Sequence, residues 1–213
     1  MKGLFVVFEG IDGSGKTTAI ERIAQILQEQ NFQTIVLREP TEKTDASREI
    51  RRILKTVPTM DERIERELFD LFLIDRLWDI EHQIKPALSS GGIVLLDRYF
   101  ISTAAYQANS SEKVRQIVMD YLDDTRILLP DIIFFLDIPV KTAIDRLSGR
   151  NSLDVFESEE RLTAIQHRYN GALNILAEKQ SGVKIERLSH ALADKDFLSM
   201  SAKIAKAHTE GNS

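Results

Sequence analysis

The segment Gly10-Ile11-Asp12-Gly13-Ser14-Gly15-Lys16-Thr17 matches the pattern G-x-x-x-x-G-K-[ST]. Glycines let such a loop fold back, so that consecutive backbone N–H groups point inward at phosphate oxygens. The lysine brings a positive charge to the β- and γ-phosphates of a nucleotide, and the final hydroxyl binds Mg²⁺. At average glycine usage, a chain of this length matches the pattern by chance about once in a hundred cases. The sequence therefore predicts a phosphate-binding loop rather than a turn that binds nothing.

The segments on either side of this loop strengthen the prediction. An unbroken apolar run at Leu4–Phe8 predicts a buried strand before the loop, and apolar residues after it recur at helical spacing. These residues are Ile20, Ile23, Ala24 and Leu27. The positive N-terminal end of that helix would face the bound anion. We therefore predict that ATP binds to Gly10, Asp12, Gly13, Ser14, Gly15, Lys16, Thr17 and Thr18.

Further apolar runs predict a parallel sheet covered by helices. They lie at 34–37, 93–96 and 132–136, with a weaker run at 183–185. Strands without polar alternation are typical of sheets buried on both faces, and helical patterns lie between these runs. We predict the three-layer α/β fold of P-loop nucleoside triphosphatases (NTPases), with five parallel strands flanked by helices. The sequence predicts a single domain over 1–205 and a C-terminal tail over 206–213.

Composition excludes several classes of protein. The 213 residues carry a formal charge of −5 and include no cysteine. A global basic field for binding nucleic acid or an anionic membrane is therefore absent, as are disulfides and cysteine-ligated zinc. The sequence has neither a signal-peptide pattern nor an apolar run of membrane-spanning length. We predict a soluble, cytoplasmic protein with no nucleic-acid or membrane partner.

Two arginines follow predicted strands and indicate a second phosphate-bearing ligand. Arg38 comes directly after the second run, and Asp97-Arg98 after the third. The carboxyl ends of parallel strands meet at one edge of the sheet, and the arginine fork suits a phosphate. Pairing of each arginine with a nearby carboxylate is the alternative. Asp97 is placed to bind Mg²⁺ together with Thr17. A GTPase switch is disfavoured, because N-K-x-D is absent and the one D-x-x-G segment lies inside the loop.

Several segments together resemble the thymidylate kinase family, in order and with similar spacing, from about residue 3 to about residue 175. They are Phe8–Thr18, Arg38-Glu39-Pro40, Asp75-Arg76, Ile84–Leu88 and Asp97–Gln107. The resemblance implies the strand order 2-3-1-4-5 and transfer of the γ-phosphate of ATP to dTMP, giving dTDP. It also implies Mg²⁺ as cofactor and a homodimer.

The resemblance further implies which residues bind dTMP. Phe72 would stack on thymine and Arg76 would hydrogen-bond its edge; Thr103 and Gln107 would also contact the base. Tyr106 would crowd out a ribose 2′-OH. Arg38 and Arg98 would hold the phosphate, with Asp12 near the sugar 3′-OH. Residues 72 and 76 share one helical face, as do 103, 106 and 107. The alternatives are that Phe72 belongs to the core and that Tyr106 and Gln107 are ordinary helix residues.

A segment at about 146–158 resembles the mobile lid that covers ATP in this family. Thymidylate kinases have a catalytic arginine either in the phosphate-binding loop or in the lid. Because position 13 of the loop is glycine here, the resemblance assigns this role to Arg150 of the lid. Lys16 and Arg98 are the other predicted catalytic residues. Arg146 would lie against adenine. A solvated basic face is the alternative for both lid arginines. Two segments depart from the family pattern. Thr41-Glu42-Lys43 replaces the usual Gly-Gly-Thr, and Asp154-Val155-Phe156-Glu157 lacks an arginine.

Other functions remain open at this point. A deoxynucleoside kinase needs a carboxylate base near the second strand, where Glu39 is available. The altered segments also fit a nucleotide-binding regulatory protein with weak activity. A third alternative is another nucleoside monophosphate kinase on the same scaffold.

Overall fold

The computed structural model describes residues 2–56, 61–148 and 158–211, which contain one five-stranded sheet. The strands are β1 (Leu4–Glu9), β2 (Thr34–Arg38), β3 (Ile93–Asp97), β4 (Ile132–Leu136) and β5 (Lys184–Leu188). All pairs are parallel, and the order is β2-β3-β1-β4-β5. The predicted strand order and α/β class are confirmed.

Helices cover both faces of the sheet. They are α1 (Lys16–Glu29), α2 (Asp45–Thr56), α3 (Glu62–Asp79), α4 (Lys85–Ser89), α5 (Phe100–Gln107), α6 (Ser111–Asp123), α7 (Val140–Leu147), α8 (Glu159–Glu178) and α9 (Asp194–Glu210). A π-helical segment at Ile80–Ile84 joins α3 to α4. Within the described ranges, no helix is both long and apolar enough to cross a membrane.

The central strands are buried on both faces, which explains why their sequences do not alternate between apolar and polar residues. Every residue of β1, β3 and β4 is buried. One apolar cluster packs α5, α6 and α8 on one face of the sheet, and a second packs α1 and α9 on the other. The edge strands β2 and β5 are partly exposed. This packing fixes the carboxyl ends of β1, β2 and β3 at one edge of the sheet, where the loop lies.

The C-terminal boundary differs from the prediction, because α9 continues to Glu210 through residues assigned to a tail. His208 is buried and its Nε2 donates to the carbonyl of Gly91 at 2.8 Å. Its ring also packs edge-on against Phe32, with centroids 5.6 Å apart. Together with Ala205 and Ala207, which pack against the same apolar cluster as Ile204, this buried polar residue holds the last turns of α9 against the core.

Asp75 of α3 fixes the segment that follows β2. Its carboxylate accepts hydrogen bonds from Thr41 N and Thr41 Oγ1, both at 2.7 Å, and from Thr44 Oγ1 at 2.5 Å. Arg51 of α2 donates to the carbonyls of Pro40 and Thr41 at 2.9 and 2.6 Å. The segment is therefore tied to both α2 and α3, although it contains no regular secondary structure.

We expect Asp75→Ala to lower the free energy of unfolding by about 2–4 kcal/mol, because three donors lose a buried acceptor. Urea denaturation followed by circular dichroism measures this change. Asp70→Ala, at an exposed position of the same helix, should change the value by less than about 0.5 kcal/mol. Equal effects of the two substitutions would contradict the role given to Asp75.

Candidate active site

The loop between β1 and α1 has a backbone that requires glycine. Gly13 has φ +76°, and a Cβ there would lie 2.5 Å from the carbonyl oxygen of Ala143. Gly15 has φ +96° and immediately precedes the first residue of α1. A residue with a side chain is strained at these values of φ. Both glycines are therefore needed for the backbone to turn from β1 to the N-terminus of α1.

Lys16 lies across this loop. Its Nζ donates to the carbonyls of Gly10 and Ile11 at 2.9 and 3.0 Å, and the residue is 6% exposed. Burial and the nearby Arg98 guanidinium lower the pKa of Lys16 to about 8. An ammonium held inside the loop is placed to neutralise phosphate charge.

We expect affinity for an ATP analogue to fall as the pH rises above 8. The free protein releases the Lys16 proton through about pH 8, whereas the phosphates favour the ammonium form. Affinity should therefore fall up to about tenfold per pH unit above that pKa. Isothermal titration calorimetry with a non-hydrolysable analogue at constant Mg²⁺, from pH 7 to 9.5, measures the profile. Lys16→Met should bind weakly with a flat profile. If the affinity of the natural protein did not change between pH 7 and 9.5, the role given to the Lys16 ammonium would be wrong.

Thr17 and Asp97 are brought together at the ends of the loop and β3. Thr17 Oγ1 donates to Asp97 Oδ2 at 3.2 Å. Asp97 is 3% exposed, and its other oxygen, Oδ1, has no hydrogen-bond partner among the described residues. A hydroxyl and a carboxylate with a spare oxygen are hard ligands that suit Mg²⁺, which otherwise keeps water and phosphate oxygens. Among the described residues, no group of three or more acidic, histidine or cysteine side chains is arranged to hold a metal ion.

Arg98 joins the phosphate-binding loop to α5. It has φ +72° and its N–H donates to the carbonyl of Phe8 at 3.0 Å. The guanidinium contacts Asp12 Oδ1 at 2.5 Å, and it donates to the hydroxyls of Tyr106 and Tyr169 at 3.2 and 3.1 Å. A non-glycine residue at positive φ is unfavourable, so these contacts must hold it there.

Asp12 and Tyr106, which the sequence placed near the sugar, lie in contact. The Tyr106 hydroxyl donates to Asp12 Oδ2 at 2.7 Å. Burial opposes ionisation of Asp12, but Arg98 and Lys16 outweigh it and hold the pKa of this carboxyl well below its usual range. The cleft therefore contains an ionised carboxylate between two cations. An incoming phosphate group would compete with it for Arg98.

Glu9 is a site residue that the sequence analysis missed. It ends β1, is completely buried, and accepts hydrogen bonds from Tyr99 N at 2.9 Å and Ser102 Oγ at 2.6 Å. The hydroxyl of Tyr169 donates to it at 3.2 Å. Burial raises its pKa. Glu9 thus fixes the start of α5 against β1, and a carboxylate at the end of an apolar strand was the available signal.

Glu39 and Arg76 form a buried ion pair. The Nε atom lies 3.0 Å from both Glu39 oxygens, and Nη2 lies 2.5 Å from Oε2. Nη2 also donates to Thr103 Oγ1 at 3.2 Å. Glu39 is 3% exposed and Arg76 is 1% exposed. Burial disfavours the guanidinium charge, but the Glu39 carboxylate outweighs it and raises the pKa of Arg76 above its usual range.

A family model described as Thymidylate kinase matches residues 8–192. The chain belongs to the thymidylate kinase family. Similar proteins include "Thymidylate kinase" of Leptospira borgpetersenii serovar Hardjo-bovis, 36% identical over 86% of this chain and 87% of that protein. "Thymidylate kinase" of Akkermansia muciniphila is 37% identical over 76% of each chain. "Probable thymidylate kinase" of Thermococcus gammatolerans is 33% identical over 90% of this chain and 91% of that protein. The resemblance found in the sequence is confirmed.

The remaining dTMP contacts expected of a thymidylate kinase stay predictions. The Arg38 side chain is 66% exposed, with Nε 3.8 Å from Asp97 Oδ2. Phe72 packs beside the apolar cluster of Ile50, Ile53 and Leu68, as its core alternative expects. Gln107 is half-buried at the end of α5. Both arginines at strand ends are paired with carboxylates, Arg38 with Asp97 and Arg98 with Asp12, so the alternative given for them is present.

Of the two segments that depart from the thymidylate kinase pattern, the structure describes residues 41–43, whereas residues 154–157 lie outside the described residues. Thr41, which stands where many members have glycine, is 4% exposed and bonded to Asp75. The altered segment is therefore part of the packed structure. In the lid, Arg146 donates to the carbonyls of Gly13 and Ser14 at 3.2 and 3.1 Å. Arg150 and the rest of the lid up to residue 157 lie outside the described residues.

Proposed function

We propose that this protein transfers the γ-phosphate of ATP to dTMP, giving dTDP. The observation that carries the proposal is the position of Arg98. Its guanidinium touches Asp12 of the phosphate-binding loop and Tyr106 of α5, so it lies between the ATP site and the predicted acceptor site. Membership in the thymidylate kinase family supports the same reaction.

The chemistry requires alignment and charge neutralisation rather than covalent catalysis. Lys16 would offset charge that develops on the transferred phosphoryl group, and Arg98 and Arg38 would orient the acceptor phosphate. A monophosphate has a second pKa of about 6, so it needs no general base. Thr17 and Asp97 would hold Mg²⁺, which when bound neutralises phosphate charge.

The buried ion pair bears on the main alternative. A deoxynucleoside kinase needs a carboxylate that is free to accept a proton from a sugar hydroxyl. Both Glu39 oxygens instead contact Arg76, and the carboxylate is almost inaccessible. This arrangement favours a monophosphate acceptor, which requires no such base.

Four further assignments complete the proposal. We place Arg150 over the γ-phosphate as a catalytic residue and Arg146 against adenine. The homodimer rests on the family resemblance, and the cytoplasmic location is the prediction made from the sequence. Each of these assignments leaves the reaction class unchanged.

A coupled assay of ADP release tests the reaction across a panel of acceptors. With ATP and Mg²⁺ we expect turnover with dTMP and none above background with thymidine. Removal of Mg²⁺ by a chelator should abolish turnover, and excess Mg²⁺ should restore it. Turnover with thymidine but not dTMP would favour a deoxynucleoside kinase. Binding of both nucleotides without ADP release would favour a regulatory protein.

A further inference from the structure

The two edges of the Arg98 guanidinium differ in how deeply their partners are buried. Nη2 contacts Asp12, whose side chain is 36% exposed, and the hydroxyl of Tyr106, which is half-buried. Nη1 instead lies 3.1 Å from the hydroxyl of Tyr169 and 3.3 Å from Oγ of Ser102. Both of these residues are buried, Tyr169 completely. An incoming phosphate would therefore approach the Nη2 edge, whereas the Nη1 edge faces the interior.

Behind Nη1, the hydrogen bonds continue to a buried carboxylate. The Tyr169 hydroxyl lies 2.7 Å from Ser102 Oγ and 3.2 Å from Glu9 Oε2, and Ser102 Oγ donates to the same carboxylate oxygen at 2.6 Å. Burial and the nearby Glu9 raise the pKa of Tyr169 further above its usual value, so its hydroxyl keeps its proton. This hydroxyl therefore accepts from Arg98 and donates onward to Ser102 or Glu9.

The Tyr169 ring is itself held in place by its neighbours. It packs 5.4 Å from the ring of Phe135 on β4 and edge-on against Tyr106, with 6.2 Å between centroids. Tyr169 belongs to α8, which packs with α5 in one apolar cluster. The remaining contact of Nη1, with the carbonyl of Gly10, is longer, at 3.4 Å. The Tyr169 hydroxyl is thus the nearest fixed partner on the buried edge of Arg98.

We propose that Tyr169 is a positioning residue that retains Arg98 when the acceptor's phosphate replaces Asp12. Nη1 would stay bonded to the Tyr169 hydroxyl, while Nη2 exchanges the Asp12 carboxylate for a phosphate oxygen. A guanidinium held along one edge presents its other edge in one direction, so less freedom is lost when the acceptor binds. Because Tyr169 is completely buried, it would act on the acceptor only through Arg98. This inference rests on the proposed function.

The test is a double-mutant cycle of Tyr169→Phe with Arg98→Ala, read as the dissociation constant of dTMP. Isothermal titration calorimetry measures this constant without requiring turnover. We expect Tyr169→Phe to raise it about tenfold, the lower end of the range for a hydrogen bond to a charged group. In the Arg98→Ala background the same substitution should change it less than about twofold, because its effect passes through the guanidinium. Affinity for an ATP analogue should stay within about twofold in Tyr169→Phe.

Tyr99→Phe is the matched control. It also removes one buried tyrosine hydroxyl, whose partner is the carbonyl of Leu128 at 2.9 Å. Loss of that hydrogen bond should lower stability, but the dissociation constant of dTMP should stay within about twofold. An equal rise in the Tyr99→Phe and Tyr169→Phe variants would mean that Tyr169 acts only through the stability of the fold, and would overturn the inference.

A folded Tyr169→Phe variant with unchanged dTMP affinity would refute the inference, as would an effect of the same size in the Arg98→Ala background. If Tyr169→Phe does not fold, a crystal structure of the natural protein with dTMP decides. We expect Nη1 within about 3.2 Å of the Tyr169 hydroxyl and Nη2 on the phosphate; a guanidinium that has left Tyr169 would refute the role. If dTMP binds without turnover, the proposed function is rejected, and the cycle still decides the role of Tyr169. A natural protein that does not bind dTMP would reject both.

Discussion

Lys16→Ala is expected to lower kcat for dTMP phosphorylation by at least about 1,000-fold, beyond the loss typical of one neutral hydrogen-bond donor. The ammonium is 6% exposed and lies within the loop that would hold the β- and γ-phosphates. Water enters such a site with difficulty, so another cation cannot easily replace the lost charge. Steady-state ADP release at saturating ATP and dTMP measures the effect.

The control for this prediction separates catalysis from folding. Lys113→Ala removes an exposed lysine on α6 and should leave kcat within about twofold, because surface substitutions away from the site have small effects. A folded Lys16→Ala variant with kcat within tenfold of the natural protein would mean that the loop does not hold the transferred phosphate.

The positions of the central strands and the residues of the loop could be predicted because they depend on local patterns, whereas the strand order was implied by the family resemblance. An apolar run without alternation indicates a strand buried on both faces, and the run at Ile132–Leu136 is completely buried. The glycines of the loop are needed for backbone angles that other residues rarely adopt. Both signals lie within a few neighbouring residues, so they do not depend on which distant segments pack together.

The contacts of Arg76 could not be predicted in the same way. Helical spacing places residues 72 and 76 on one face of α3, as predicted. It does not indicate that Glu39, 37 positions away, occupies one edge of the guanidinium, or that Tyr99 and Tyr121 pack against it. These partners come from the residue after β2, the turn before α5, and α6. They meet only when the sheet and helices are assembled.

The role of Glu9 and the full length of the C-terminal helix could not be predicted for the same reason, because their partners are distant in the sequence. The carboxylate at the end of an apolar strand was the one local signal for Glu9, but its four donors come from the turn before α5, from α5 and from α8, which the local sequence does not indicate. His208 is polar, so the sequence did not indicate that it is buried at the end of α9. Its partner is the carbonyl of Gly91, 117 positions away. Buried polar residues are therefore the part of this fold that depends most on tertiary contacts.

Arg98→Ala is expected to lower kcat/KM for dTMP by about 100- to 1,000-fold, while affinity for an ATP analogue changes less than tenfold. The Arg98 fork would contact the acceptor phosphate, whereas Lys16 and the loop would still bind ATP. Arg98→Lys should recover little of the loss, since the lysine ammonium is a single point charge and lacks the rigid, bidentate fork of the guanidinium. Arg126→Ala, at an exposed arginine, should have no effect on either value.

A double-mutant cycle with Asp12→Asn distinguishes phosphate binding from simple ion pairing. If Arg98 serves only to neutralise Asp12, Asp12→Asn removes that need, and Arg98→Ala should then cost little in the Asp12→Asn background. If Arg98 holds the acceptor phosphate, the second substitution should still lower kcat/KM for dTMP by at least about tenfold in that background. The 2.5 Å contact in the free protein would then be a resting position of the guanidinium, exchanged for phosphate when dTMP binds. A cycle in which the Arg98 effect disappears would reject the two-phosphate cleft.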